Sequence, residues 1–193
     1  MKRGEGRSWR AFGLAILLLG TGAAAQSPET LAKCQACHGP GGNSEKPGTP
    51  SIAGQPETFL TNQLVFFREG LRTATEMDEV AKGMKDAEIV ALARHFSKSP
   101  VKVVSPGAKD AALERRGREL ASRMLCGQCH LPTYRGREQM PRLAGQREDY
   151  LVEAMLGYRD NRRTGADTTM SGVLYGVSDA DIRALAHFLS RRL

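Results

Sequence analysis

The 193-residue sequence contains only four cysteines, and none of them lies outside two copies of one five-residue pattern. It also lacks a long apolar run: residues 11–20 form its most apolar stretch, which is too short for a comfortable membrane span. Strand-like alternation of apolar and polar residues is absent, so no βαβ unit is expected. These absences disfavour a membrane-spanning protein and a thioredoxin-like fold.

Both cysteine patterns have the form CxxCH, and their reactive residues are Cys34, Cys37, His38, Cys126, Cys129 and His130. Positions i, i+3 and i+4 share one face of a helical turn, so both thiols and the imidazole can meet a single flat cofactor. The pattern is the attachment signature of c-type haem, in which the histidine takes one axial position on the iron. We therefore predict two covalently attached haem c groups and a role in handling electrons.

Three other interpretations of the cysteines are two disulfides, a redox-active CxxC pair and zinc binding. A disulfide framework does not require a histidine directly after each second cysteine, and a redox-active pair usually lies in a βαβ unit. Zinc sites usually place the histidine further from the cysteine. The haem interpretation is favoured over all three.

The N-terminal segment resembles an export signal. Four basic residues precede the apolar stretch, and three alanines at 23–25 offer a cleavage site before Gln26. We expect residues 1–25 to be a signal peptide and the protein to be periplasmic, because this kind of haem attachment belongs outside the reducing cytosol. The alternative is an uncleaved N-terminal anchor, which allows peripheral membrane association.

The positive charge of the remaining chain lies in its C-terminal half. Residues 26–105 hold nine basic and nine acidic residues, whereas residues 106–193 hold fifteen and eleven, and fourteen of those fifteen are arginine. The excess indicates either a basic face for an acidic redox partner or a merely solvated surface. A nucleic-acid partner is disfavoured, because the excess is small and the protein is expected to be exported.

The sequence repeats beyond CxxCH. Residues 50–55 read PSIAGQ and residues 141–146 read PRLAGQ; residues 59–68 match 150–159, and residues 86–93 match 179–186. The nearly constant offset predicts two haem domains of the same build, at 26–98 and 110–193, joined by a linker at 99–109. Apolar spacing predicts an all-α fold, with helices at residues 30–38, 56–69, 86–97, 111–125, 147–160 and 179–192.

The repeat also selects a candidate for the second axial iron ligand. Met77 aligns with Met170 at an offset of 93, whereas the counterpart of Met84 is Val177. We predict that both mirrored methionines lie in loops before the last helix of each half and ligate iron, although a methionine at such spacing is often a core residue. Carbonyls near Pro50 and Pro141 are candidates to fix the ligand imidazoles, unless these prolines only shape turns.

Together these motifs resemble the di-haem class I cytochromes c of the cytochrome c4 family, over residues 28–192. The resemblance implies two cytochrome c folds whose haems face each other across the domain contact. It implies four thioether attachments at the cysteines, with His38/Met77 and His130/Met170 as axial pairs. It also implies an electron carrier between a respiratory complex and a terminal oxidase or reductase. One departure is the loop after His130, which lacks the glycine-rich pattern that follows His38.

Three functions fit these features. The favoured one is an electron shuttle with no substrate and no catalytic residue of its own. The second is a cytochrome subunit of a periplasmic dehydrogenase, such as a flavoprotein or an alcohol-oxidising enzyme. The third is a haem peroxidase or oxidase with one open iron position, which the mirrored methionines disfavour.

Overall fold

The computed structural model describes Met1 and residues 27–104, 107–163 and 168–192. Within these ranges the regular secondary structure is helical, apart from one isolated bridge between Arg137 and Met140, and this confirms the all-α prediction. None of the described helices has both the length and the apolar character needed to cross a membrane. Almost all of the expected signal peptide, residues 2–25, lies outside the described residues.

Nine α-helices run along the described ranges. The first half holds α1 (Pro28–His38), α2 (Glu57–Arg68), α3 (Thr75–Ala81) and α4 (Asp86–Ser97), with a short 3-10 turn at Pro40–Gly42. The second half holds α5 (Ala111–Arg123), α6 (Cys126–His130), α7 (Glu148–Arg159), α8 (Thr169–Leu174) and α9 (Asp179–Ser190).

Side-chain caps fix the start of three of these helices. The Ser27 hydroxyl accepts from Thr30 N before α1, and the Ser178 hydroxyl accepts from Asp181 N before α9. The Asp110 carboxylate accepts from two backbone N–H groups in the first turn of α5. Such caps satisfy donors that have no partner inside the helix.

Each half has its own buried core. The first consists of Leu60, Met84, Ile89, Leu92, Ala93 and Phe96, on α2, α4 and the turn before α4. The second joins α5, α7 and α9 and includes Leu120, Leu151, Met155, Ile182 and Leu185. Leu92 and Leu185 are equivalent in the repeat. Two separate cores agree with two repeated units, while the exact domain bounds stay a prediction.

The structure corrects two local predictions. The helix predicted at 111–125 ends at Arg123, because Leu125 adopts a left-handed conformation (φ 56°), and the second CxxCH forms its own short helix, α6. The first CxxCH instead continues α1. Met77 and Met170 lie in the short helices α3 and α8, so the prediction that they lie in loops is wrong.

Two glutamines join the halves by reciprocal hydrogen bonds. Gln55 donates to Arg142 O (2.9 Å) and accepts from Arg142 N (2.8 Å). Gln146 donates to Ser51 O (2.8 Å) and accepts from Ser51 N (2.8 Å). Both glutamines close the repeated AGQ sequence and are about 3% exposed. Each amide thus pairs with the main chain of the residue that follows the repeated proline of the other half.

Candidate haem sites

The two CxxCH histidines have the same environment. His38 ends α1, and its Nδ1 donates to Pro50 O at 2.8 Å; His130 ends α6, and its Nδ1 donates to Pro141 O, also at 2.8 Å. A carbonyl only accepts, so Nδ1 carries the proton and the lone pair of each imidazole is on Nε2. This confirms the predicted role of the proline loops in fixing the two rings.

Burial keeps both imidazoles neutral. His38 and His130 are 8% and 5% exposed. Loss of hydration lowers the pKa of both rings, and the hydrogen bonds to the proline carbonyls oppose this only in part. A neutral imidazole with a free Nε2 is the form that binds iron.

The cysteines precede each histidine on the same helix or helical turn. Cys34, Cys37 and Cys126 are partly buried, while Cys129 is exposed. Before haem attachment, burial raises the pKa of Cys34 and of Cys126, so these two groups are thiols at neutral pH. Both helices therefore carry two sulfurs and one imidazole at the spacing that the sequence predicts for attachment.

The loops after the two histidines form the same hydrogen bonds from different residues. Gly42 O accepts from Ile52 N and Ala53 N, at 2.7 and 2.9 Å, and Tyr134 O accepts from Leu143 N and Ala144 N, at 2.8 and 3.0 Å. Tyr134 reproduces the geometry at the cost of a positive φ of 55°. The missing glycines in the second loop therefore do not change how the proline segment is held.

The methionines differ in their packing. Met84 belongs to the buried core of the first half, as expected for a structural side chain. Met77 and Met170 are both partly buried, at the third position of α3 and the second of α8. Met170 also contacts the core of the second half. The structure thus keeps Met77 and Met170 in similar positions of the two repeats.

The two remaining histidines lie on the closing helices, as predicted. His187 is buried; its Nε2 accepts from Asp110 N at 3.0 Å, and its Nδ1 is 3.1 Å from a Glu148 oxygen. His95 is partly buried on α4. The contacts of His187 hold the start of α5 against α7 and α9, which is a structural role.

A cationic cluster lies at the domain contact, and the sequence analysis missed it. Arg72 stacks on Phe67 at 4.5 Å and donates to Tyr150 Oη at 3.3 Å; Arg163 lies over Tyr158 at 4.8 Å. Arg72 and Arg163 are equivalent in the repeat at the offset of 91, and this equivalence could have identified the pair from the sequence. Burial would raise the pKa of Tyr150, but the charges of Arg163 and Arg72 lower it to about 8.

This cluster has the charge to receive the anionic groups of two haems. Among the described residues neither Arg72 nor Arg163 forms a salt bridge with a carboxylate, and Arg163 Nε has no partner. Uncompensated cations at a contact are costly unless an anion joins them. Each haem carries two propionate carboxylates, so the cluster, the histidines and the cysteines together fit the cofactor.

Comparisons with known proteins show which proteins this chain is similar to. The family described as Cytochrome c matches residues 114–192. Cytochrome c4 of Pseudomonas aeruginosa is 31% identical over 92% of this chain and 92% of its own length. A thiosulfate dehydrogenase electron acceptor of Thiomonas intermedia is 32% identical over 86% of this chain and 81% of its own. The crystal structure of reduced recombinant cytochrome c4 from Pseudomonas stutzeri superposes with a TM-score of 0.78 at 30% identity, covering 88% of this chain and all of that one.

Two helical units, each with a buried histidine directly after CxxC, define a tandem c-type haem protein. The chain belongs to the di-haem cytochrome c4 family. It is a di-haem c-type cytochrome of electron transfer with two covalently bound haem c groups.

Proposed function

We propose that the protein is a periplasmic carrier that passes single electrons between respiratory-chain partners. Its supporting observation is the pair of buried imidazoles whose Nδ1 atoms donate to Pro50 O and Pro141 O, because this leaves two equivalent Nε2 atoms for iron. The carrier role follows when the protein fills both axial positions of each iron, since no position is then left for a substrate.

In this proposal the four cysteines hold the two porphyrins as thioethers, and His38/Met77 and His130/Met170 are the axial pairs. A bound haem supplies a one-electron iron couple. The cysteines would hold the porphyrin, the main-chain carbonyls of Pro50 and Pro141 would orient the imidazoles, and Arg72 and Arg163 would balance the propionates. The similar placement of Met77 and Met170, outside or at the margin of the cores, supports their assignment.

The expected partners are redox proteins: a respiratory complex as donor and a terminal oxidase or reductase as acceptor. The periplasmic location rests on the signal-like N-terminus and on the export that haem attachment requires. A second candidate is a dedicated electron acceptor or subunit of a dehydrogenase, which the thiosulfate dehydrogenase electron acceptor of Thiomonas intermedia favours. Purification of the exported protein with a larger partner at fixed stoichiometry would support this second function.

The ligand assignment is tested by an optically followed redox titration of the haem-loaded protein. Met77→Leu and Met170→Leu keep the side-chain volume but remove the thioether. Each variant is expected to lose the sulfur–iron absorption of one haem and to lower one of two one-electron midpoints. Met84→Leu is the matched control, because Met84 lies in the first core, and it is expected to keep both midpoints.

The assignment is wrong if Met77→Leu or Met170→Leu retains the full sulfur–iron absorption, or if Met84→Leu loses it. Binding of carbon monoxide by the reduced wild-type protein at neutral pH would show an open iron position. That result would favour the haem enzyme over the carrier.

A further inference from the structure

Arg142 is a buried cation that has no equivalent in the first half. It is 4% exposed, and it lies directly after Pro141, in the sequence PRLAGQ. The first half has Ser51 at this position, whose hydroxyl accepts from Ser44 N at 3.1 Å. The two repeats therefore differ at the residue directly after Pro141, whose carbonyl accepts from the His130 ring.

The guanidinium of Arg142 contacts equivalent atoms of both halves. One nitrogen donates to Ala53 O at 2.9 Å, and another donates to Ala144 O. Ala53 and Ala144 are the repeated alanines of the two AGQ sequences. A group bonded to both lies where the repeats meet.

The charge of Arg142 is poorly compensated. Among the described residues it forms no salt bridge, its acceptors are neutral carbonyls, and its Nε has no partner. Loss of hydration lowers the pKa of Arg142 to about 10, so the side chain is still charged at neutral pH. A charge with little water around it acts over a longer range than an exposed one.

The two segments that Arg142 joins are those that hold the iron-binding histidines. Pro50 and Pro141, whose carbonyls accept from His38 and His130, begin the segments that contain Ala53 and Ala144. Oxidation adds one positive charge to a haem iron, and a nearby buried cation opposes that step. Because the guanidinium contacts both segments, it lies close to the loops that hold both histidines.

We propose that Arg142 is a shared electrostatic control that raises the reduction potentials of both haems together. The proposal rests on the two His-ligated haems of the proposed function. It assigns this chain's buried arginine to that site as a charge and not as an iron ligand.

The test is a spectroelectrochemical titration of the haem-loaded protein and three variants. Arg142→Met removes the charge and keeps much of the side-chain volume. Arg142→Lys keeps the charge but loses the planar guanidinium group that donates to both carbonyls. Arg135→Met is the matched control, because Arg135 lines the same cleft as Arg142 but is exposed. Arg142→Met is expected to lower both midpoints, with a change in their separation smaller than either shift. Arg142→Lys and Arg135→Met are expected to leave both midpoints near those of the wild type.

The proposal is overturned if Arg142→Met lowers only one midpoint or neither, or if Arg142→Lys lowers both as far as Arg142→Met does. Should Arg142→Met yield no folded protein, Arg142→Gln gives the same test, because its amide is neutral and still donates to one carbonyl. The sulfur–iron absorption is recorded in each variant. Its loss would indicate failed axial ligation and is thereby distinguished from an electrostatic shift.

Discussion

Replacing Gln55 by leucine tests how the two halves are held together. The substitution keeps a similar volume but removes the amide that pairs with Arg142 N and Arg142 O, at 2.8 and 2.9 Å. Both main-chain groups would then be buried without partners. Each such group costs about 1–3 kcal/mol, which gives about 2–6 kcal/mol for the pair.

The measurement is the free energy of unfolding of the haem-loaded protein in guanidinium chloride, followed by circular dichroism. Gln146→Leu removes the equivalent pairing with Ser51 and is expected to cost at least as much, since Gln146 Oε1 also accepts from Arg147 N. The double variant is expected to separate the unfolding of the two halves into two transitions.

The exposed Gln139 provides the control: Gln139→Leu is expected to change the free energy of unfolding by less than about 0.5 kcal/mol. If Gln55→Leu and Gln146→Leu are both as mild as this control, the reciprocal amides do not stabilise the contact. The reasoning would then be refuted, and other contacts would have to hold the halves together.

Two further predictions concern side chains that accept hydrogen bonds from the main chain. Asp149 accepts a hydrogen bond from Gly48 N of the other half at 2.8 Å. Burial raises the pKa of Asp149, but the hydrogen bonds from Arg147, Gly48 N and Tyr150 N outweigh burial and hold this pKa below the ordinary value of 3.8. The ionised carboxylate therefore stabilises the fold above pH 3.8. Asp149→Asn is expected to be less stable than the wild type at pH 7, and this difference in stability should shrink as the pH falls below 3.8. Ser178→Ala removes the cap of α9 and is expected to cost about 1 kcal/mol in chemical unfolding.

Each of these has an internal comparison. A stability gap between Asp149→Asn and the wild type that stays constant from pH 7 to pH 3 would contradict the role given to the carboxylate. Ser122 is exposed within α5, so Ser122→Ala is expected to be neutral or slightly stabilising. A loss in Ser122→Ala equal to that in Ser178→Ala would remove the argument for a cap.

Local signals account for the features that could be predicted. CxxCH places two thiols and an imidazole within one helical turn, and the six longer helices begin and end within about two residues of their predicted bounds. The short helices α3 and α8 were missed, because no side chain caps them and each has fewer than eight residues. The break at Leu125 was missed as well, since nothing in its sequence marks a left-handed residue.

The arginines show most clearly where sequence reasoning stops. The basic excess of residues 106–193 suggested a surface property, yet Arg142 is buried and Arg163 is partly buried. The acceptors that make this tolerable are Ala53 O for Arg142 and the Tyr158 ring for Arg163. Ala53 lies 89 residues from Arg142 along the chain, and no local sequence pattern predicts such a partner.

The sequence by itself determined the number of haems, the helical class and the repeat, and it predicted the attachment residues, because each depends on spacing within one turn or on similarity between two segments. Only the tertiary structure decided which carbonyls orient the imidazoles, how Gln55 and Gln146 pair across the halves, and that Arg142 is buried between them. Those features depend on groups that are distant in the chain and become neighbours only when the two cores have formed and met.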